Sequence, residues 1–190
     1  MVLPVLILWL YKTYIMRYTI LMFILLGTCS FSVAQNDTSE QKAVEAQIDA
    51  FIRSWNKHDF SDMKNYIAED CDFVNAVGCH WKGREEVQYA HQTFHQSVLK
   101  NTPMEKRSVK IRFLKPDIAI VHLLWQIGLI TIPSTHSSRA GRPDGDNDDL
   151  ATIVFVKRNG IWLITAMENV VVNEELAPLD PVKLRKQSKR

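Results

Sequence analysis

The chain has 190 residues, 46% of them hydrophobic and 23% charged, with 23 Lys and Arg against 21 Asp and Glu. This balance fits one globular domain with a real core and excludes a low-complexity or intrinsically disordered chain. The small positive excess traces to two residues near the start, Lys12 and Arg17, so the rest of the chain is neutral; the basic tail from Lys183 to Arg190 is the one candidate patch for nucleic acid and reads as a solvated, disordered end.

Residues 1–34 read as a secretory signal. Met16-Arg17-Tyr18 supplies a basic segment, Thr19 to Leu26 an apolar one, and Ser32-Val33-Ala34 a small-x-small cleavage site. Cleavage after Ala34 leaves 190 − 34 = 156 residues, with 23 − 2 = 21 basic against 21 acidic. Met16 is an alternative start. A retained membrane anchor is the competing reading, because Val2 to Leu10 is also apolar. Export places the protein in the periplasm or outside the cell, with no membrane contact once the signal is gone. That compartment permits disulfides, yet Cys71 and Cys79 lie eight residues apart and read as two free, buried thiols.

Residues 35–40 form a polar linker, and a domain over 41–173 follows. Val44, Ile48, Phe51 and Trp55 recur at helical spacing within Gln41 to Asn56. Asp59 can cap a second short helix that turns Met63, Tyr66 and Ile67 inward. Cys71 to Val77 alternates as a strand. Gly83 opens a third helix, in which Val87, Ala90, His91, Phe94 and Val98 share one face with His95 at its edge.

Beyond Pro103 the period becomes two: Val109, Ile111 and Phe113 face one way, Lys110 and Arg112 the other. Ile118 to Ile132 is an apolar, β-branched run that calls for cover on both faces, one from helices and one from a second subunit. The expected partner is therefore a second copy, in a homodimer through the sheet. Pro133 to Asp149 is read as a loop whose aspartates are solvated. The strands Ala151 to Lys157 and Ile161 to Val172 pair across Arg158-Asn159-Gly160. Residues 174–190 are read as a disordered basic tail. The order implies an α+β fold: a cone-shaped, curved antiparallel sheet with three helices on its concave face.

Phe73-Val74-Asn75-Ala76-Val77-Gly78, His80-Trp81-Lys82-Gly83-Arg84-Glu85-Glu86 and Ala90-His91 resemble the SgcJ/EcaC family. That family is a SnoaL-like branch of the nuclear transport factor 2-like superfamily. Arg112-Phe113-Leu114, Pro116-Asp117-Ile118-Ala119, Val121-His122, Trp125, Val154 to Lys157, Gly160, Trp162 and Asn169 continue the resemblance in order. It implies the cone fold, dimers through the sheet and a pocket between helices and sheet, without fixing a reaction. In the ketosteroid isomerase relatives a similar strand carries an aspartate base where this chain has Asn75.

The candidate acid or base residues are His91, on the apolar arc of the third helix, with His80 and Glu168 as alternates. Candidate ligand-binding residues are Asn75, Trp81, Trp55, His122, Trp125 and Asn169, a few polar groups and rings suited to orienting an apolar molecule. Period two puts Glu168 and Asn169 on opposite faces, and the resemblance favours Asn169. His91 and His95 have the spacing of a zinc pair but no evident third ligand, so no metal is expected. The absence of a GxGxxG sequence argues against a dinucleotide, and no cofactor is expected. Two functions remain open: an enzyme acting on a small, apolar organic molecule, or a non-catalytic binding or dimerisation module of the cell envelope.

Overall fold

The computed structural model describes residues 38–128, 148–173 and 176–187. The segment 1–34 expected to be a signal, most of the expected linker, the end of the strand expected to reach Ile132 and most of the loop expected after Pro133 lie outside the described residues. The chain divides into two compact units, Met1–Lys42 and Ala43–Arg190, and every side chain discussed below belongs to the second. Among the described residues no helix is long and apolar enough to cross a membrane.

Helix α1 spans residues 38–57, and its expected stripe of Val44, Ile48, Phe51 and Trp55 is buried. It ends at His58, whose backbone takes a left-handed conformation with φ 56° and donates to the Trp55 carbonyl. Asp59 accepts from the Ser61 amide at 2.9 Å, and a 3-10 turn, Met63–Asn65, stands in place of the expected second helix. Met63, Tyr66 and Ile67 do face inward, with 0% exposure.

Strand β1 (Ile67–Val74) leads through a tight turn to β2 (His80–Lys82), and α2 (Gly83–His95) starts directly after it. Gly83 makes that junction with φ 75°, where a side-chain carbon would sit 3.2 Å from the Glu69 carbonyl oxygen. Strands β3 (Met104–Lys115), β4 (Ile118–Ile127), β5 (Asp148–Arg158) and β6 (Ile161–Val171) follow. The sheet order is β2-β1-β6-β5-β4-β3. Asn159 and Gly160, with φ 51° and 81°, make the tight β5–β6 turn that the Asn-Gly pair announces.

Register shifts at Ile67/Asp72, Lys106/Ser108, Phe113/Lys115 and Val154/Phe155 mark bulges, which bend a sheet towards one side. Ala119, Val121, Leu123, Trp125 and Ile127 of β4 point to the inner side with Ala151, Ile153 and Phe155 of β5, and all are buried. Side-chain bonds lock α1 across this surface. The Trp55 indole donates to the Thr102 carbonyl, Asn56 brackets Met104 through two hydrogen bonds, and Lys106 reaches Glu45 and Asp49.

Four expectations are corrected. The sheet is mixed: β1 runs parallel to β6, because the returning β6 lies beside β1 after the β3–β5 meander. The first strand covers Ile67–Val74, and Asn75 to Gly78 turn instead of extending it. Cys71 is buried but Cys79, in that turn, is exposed, and both are free. In the tail, Pro181–Gln187 forms a short helix, α3, started by Asp180, whose carboxylate accepts from the Val182 amide at 2.8 Å. None of its residues is buried.

Candidate active site

His91 sits one helical turn after Val87 on the buried side of α2, and only 5% of it is exposed. Its Nδ1 lies 2.8 Å from the Val87 carbonyl oxygen. A carbonyl can only accept, so the ring proton is on Nδ1 and Nε2 keeps a free lone pair. Among the described residues five aromatic rings surround the imidazole with centroids 5.0 to 6.2 Å away: Phe73, Phe60, Trp81, Phe51 and Trp55. Burial in this cage pushes the His91 pKa down to about 4, against a smaller upward pull from the Val87 hydrogen bond. At neutral pH the ring is therefore an uncharged base. Trp81 stacks on Phe73, touches Phe94, and is half-buried like Phe94, so these two rings lie on the solvent side of the cage.

The cage continues onto the sheet. Phe51 stacks on Trp125 at 5.9 Å and 25°. Trp125 stands directly opposite Asp149 across the β4–β5 ladder, and the Asn169 amide nitrogen is 3.4 Å from the Asp149 carboxylate. Asp149 is 1% exposed and Trp125 2%. Among the described residues, the Trp125 indole nitrogen and the Asn169 side-chain oxygen are buried with no hydrogen-bond partner. Orphaned buried polar atoms are costly, and where they persist a bound molecule or ion commonly explains them.

The fold thus gathers His91, Trp55, Trp81, Trp125 and Asn169 on the inner side of the sheet. It leaves four candidates elsewhere. His80 is exposed on the edge strand β2 and pairs with Asp72 at 3.0 Å. Asn75 uses its side-chain oxygen to accept from the Val77 and Cys79 amides at 3.1 and 2.8 Å, so it shapes the β1–β2 turn. His122 and Glu168 are exposed on the outer face, each one strand position away from an inward residue. Asn75→Ala is expected to cost about 1 kcal/mol in urea unfolding, through the two lost turn bonds, while small-molecule binding stays unchanged.

Two groups escaped the sequence reading. The acidic run places Asp149 in a solvated loop by sequence, yet the alternation Asp149, Ala151, Ile153, Phe155 carries it inward. That parity was the available signal. His95, at the edge of the apolar arc, is buried at 3% exposure, and its Nδ1 is 2.6 Å from Nδ1 of His58, a pairing the spacing does not show, so one ring donates to the other. Burial, with help from His58 and His91, pushes the His95 pKa down to about 3. Among the described residues no three His, Cys, Asp or Glu side chains converge as metal ligands would.

The model of the SnoaL-like domain matches residues 44–169. The chain belongs to the SnoaL-like domain family. An uncharacterised protein with a cystatin-like fold from Caulobacter vibrioides is 28% identical; the likeness covers 76% of this chain and 97% of that one, with a TM-score of 0.68. A candidate scytalone dehydratase from Novosphingobium aromaticivorans is 16% identical over 74% of this chain and 89% of its own, at TM-score 0.62. A nuclear transport factor 2-like superfamily protein from Salmonella enterica is 15% identical over 73% and 94%, at 0.58. No curated protein matches the chain.

Proposed function

We propose that this SnoaL-like domain binds a small, largely apolar organic molecule between α1, α2 and the inner face of the sheet, and that His91 removes a proton from it. The observation that carries the reading is His91 itself: a buried, neutral imidazole whose Nδ1 is pinned by a carbonyl, leaving the basic Nε2 among aromatic rings. The rings supply the apolar wall, and the few polar atoms on the sheet supply orientation. A neutral base in a dry site suits proton abstraction followed by loss of a leaving group. The name of the Novosphingobium neighbour, a dehydratase, supports that class of reaction. His91 acts as base and not as acid, since little imidazolium exists at neutral pH when burial holds the pKa near 4.

A second reading, binding without turnover, is favoured by one observation. The His91 Nδ1 partner is a backbone carbonyl and not a carboxylate, so the imidazolium that proton abstraction creates gains little stabilisation. The position of the aspartate base in related isomerases is held by Asn75, which shapes a turn. His91→Phe separates the readings, because it keeps an aromatic ring of similar size in the cage. Loss of turnover with retained binding identifies a catalyst; retained turnover removes His91 from the chemistry.

The proposal extends to the assembly and the address. The outer face of the sheet presents Ile120, Leu124, Val154, Leu163 and Val170, all at least partly exposed, which suits a homodimer through the sheet. The motif around Phe73 to His91 supports placement in the SgcJ/EcaC branch, and the segment before residue 35 supports export. Native mass spectrometry of the purified protein is expected to give twice the chain mass with a carried organic molecule, starting at residue 35. A monomer that neither carries nor takes up small aromatic molecules would overturn the binding reading.

A further inference from the structure

The polar atoms on the inner face have a chemistry more specific than a general small-molecule pocket. Trp125, Asp149 and Val171 stand opposite one another across β4, β5 and β6, and Asn169 lies two residues before Val171 on the same face. Residues opposite one another in adjacent strands have Cβ atoms about 5 Å apart, and diagonal neighbours about 7–8 Å, so the three polar side chains form one patch. A carboxylate only accepts, so the Asn169 amide turns its NH2 towards Asp149, at 3.4 Å. That contact fixes which end of the amide is left over: its oxygen, an acceptor. The Trp125 indole offers only a donor. Both leftover atoms are buried and unpartnered among the described residues, and Trp125 is 98% covered.

We infer that Trp125, Asn169 and Asp149 form a head-group subsite for an uncharged group that carries both a hydrogen-bond acceptor and a hydrogen-bond donor, of the carboxamide or alcohol class. The acceptor takes the Trp125 N–H, and the donor satisfies the Asn169 oxygen. A ligand carboxylate is excluded, because it has no proton for the Asn169 oxygen and would place its own acceptors beside those of Asp149. A pure hydrocarbon leaves both orphans as they are. The inference rests on the binding reading above and adds the class of molecule that fits.

Titration calorimetry of the purified protein with benzamide, benzyl alcohol, benzoate and toluene tests it. Satisfying two buried orphans is expected to make benzamide or benzyl alcohol bind at least roughly tenfold tighter than toluene, with benzoate the weakest. Trp125→Phe, which keeps a ring against Phe51 and removes the N–H, is expected to cut that advantage to roughly threefold. Toluene binding as tightly as benzamide would overturn the subsite while leaving the apolar pocket intact. Benzoate binding tightest would overturn it as well, by assigning an anion site. If none of the four binds to folded protein, the pocket reading falls, and the subsite with it. The ranking on the unaltered protein decides the matter even if Trp125→Phe does not fold.

Discussion

Acidification from pH 7 to pH 4 is expected to destabilise the unaltered domain by about 3 kcal/mol more than it destabilises a His91→Phe variant. In the unfolded chain His91 takes up its proton near its ordinary pKa of 6.5, whereas in the cage it does so only near 4. Between those values the unfolded state binds the proton and the folded state does not. Stability from the neutral ring is therefore complete above pH 6.5 and is lost as pH falls through 4. His95, pushed lower still for the same main reason, adds a loss of the same sign, but both proteins keep it. Urea unfolding of the two proteins at a series of pH values measures the difference directly. Parallel stability curves would mean that His91 is hydrated in the folded state, and the aromatic cage could not then act as a dry site for proton abstraction.

Phe51→Ala is expected to cost about 3–5 kcal/mol, a large share of the stability of a domain of this size. Phe51 is 1% exposed and its ring meets Trp55, Tyr66, His91 and Trp125 at centroid distances of 5.8 to 6.3 Å. Its ring meets both His91 in the cage and Trp125 in the polar patch on the sheet. Removing it deletes the apolar contact and leaves a cavity that α1, held by Trp55, Asn56 and the Lys106 ion pairs, can close only in part. The same cavity admits water beside His91, so its pKa should rise towards 6.5 and the acid sensitivity described above should shrink. Denaturation followed by tryptophan fluorescence, with histidine titration by NMR, checks both. A cost below about 1 kcal/mol would show that the rings are loosely packed.

The two experiments also bear on function. A cage rigid enough to hold His91 neutral is what a base needs if it is to meet substrate without competing water. The assignment of chemistry then depends on turnover in His91→Phe, and the assignment of ligand class on the rank order of the four probes.

Much of the fold was legible because it follows from local periodicity. The stripe Val44, Ile48, Phe51, Trp55 could only be a helix with one buried face, and it is. Asn159-Gly160 could hardly be anything except a hairpin turn, since both residues tolerate the left-handed backbone it requires. His91 was legible as an inward residue from the same helical spacing that buries Val87. The rings that surround it were not, because they come from α1, the segment at Phe60, β1 and β2 and meet only in three dimensions.

The rest was decided by register and by competition for hydrogen bonds. Asn75 offered an amide at a promising place, but the backbone amides of its own turn claimed the oxygen. His122 and Trp125 sit three residues apart and so fall on opposite faces, a parity that separates them once the strand is known to pair at Val121 with Ile153. Asp149 looked like one more surface aspartate in an acidic run until the β5 ladder extended to Asp148 and turned it inward beside Asn169.

The sequence by itself determined the elements, the buried faces and the membership of His91 in the core, because these depend on side-chain spacing within single segments. Only the tertiary structure decided which polar groups meet, since those meetings depend on strand register and on the parallel placement of β6 beside β1. Hydrogen-bond partners that lie dozens of residues apart leave no periodic trace in the chain.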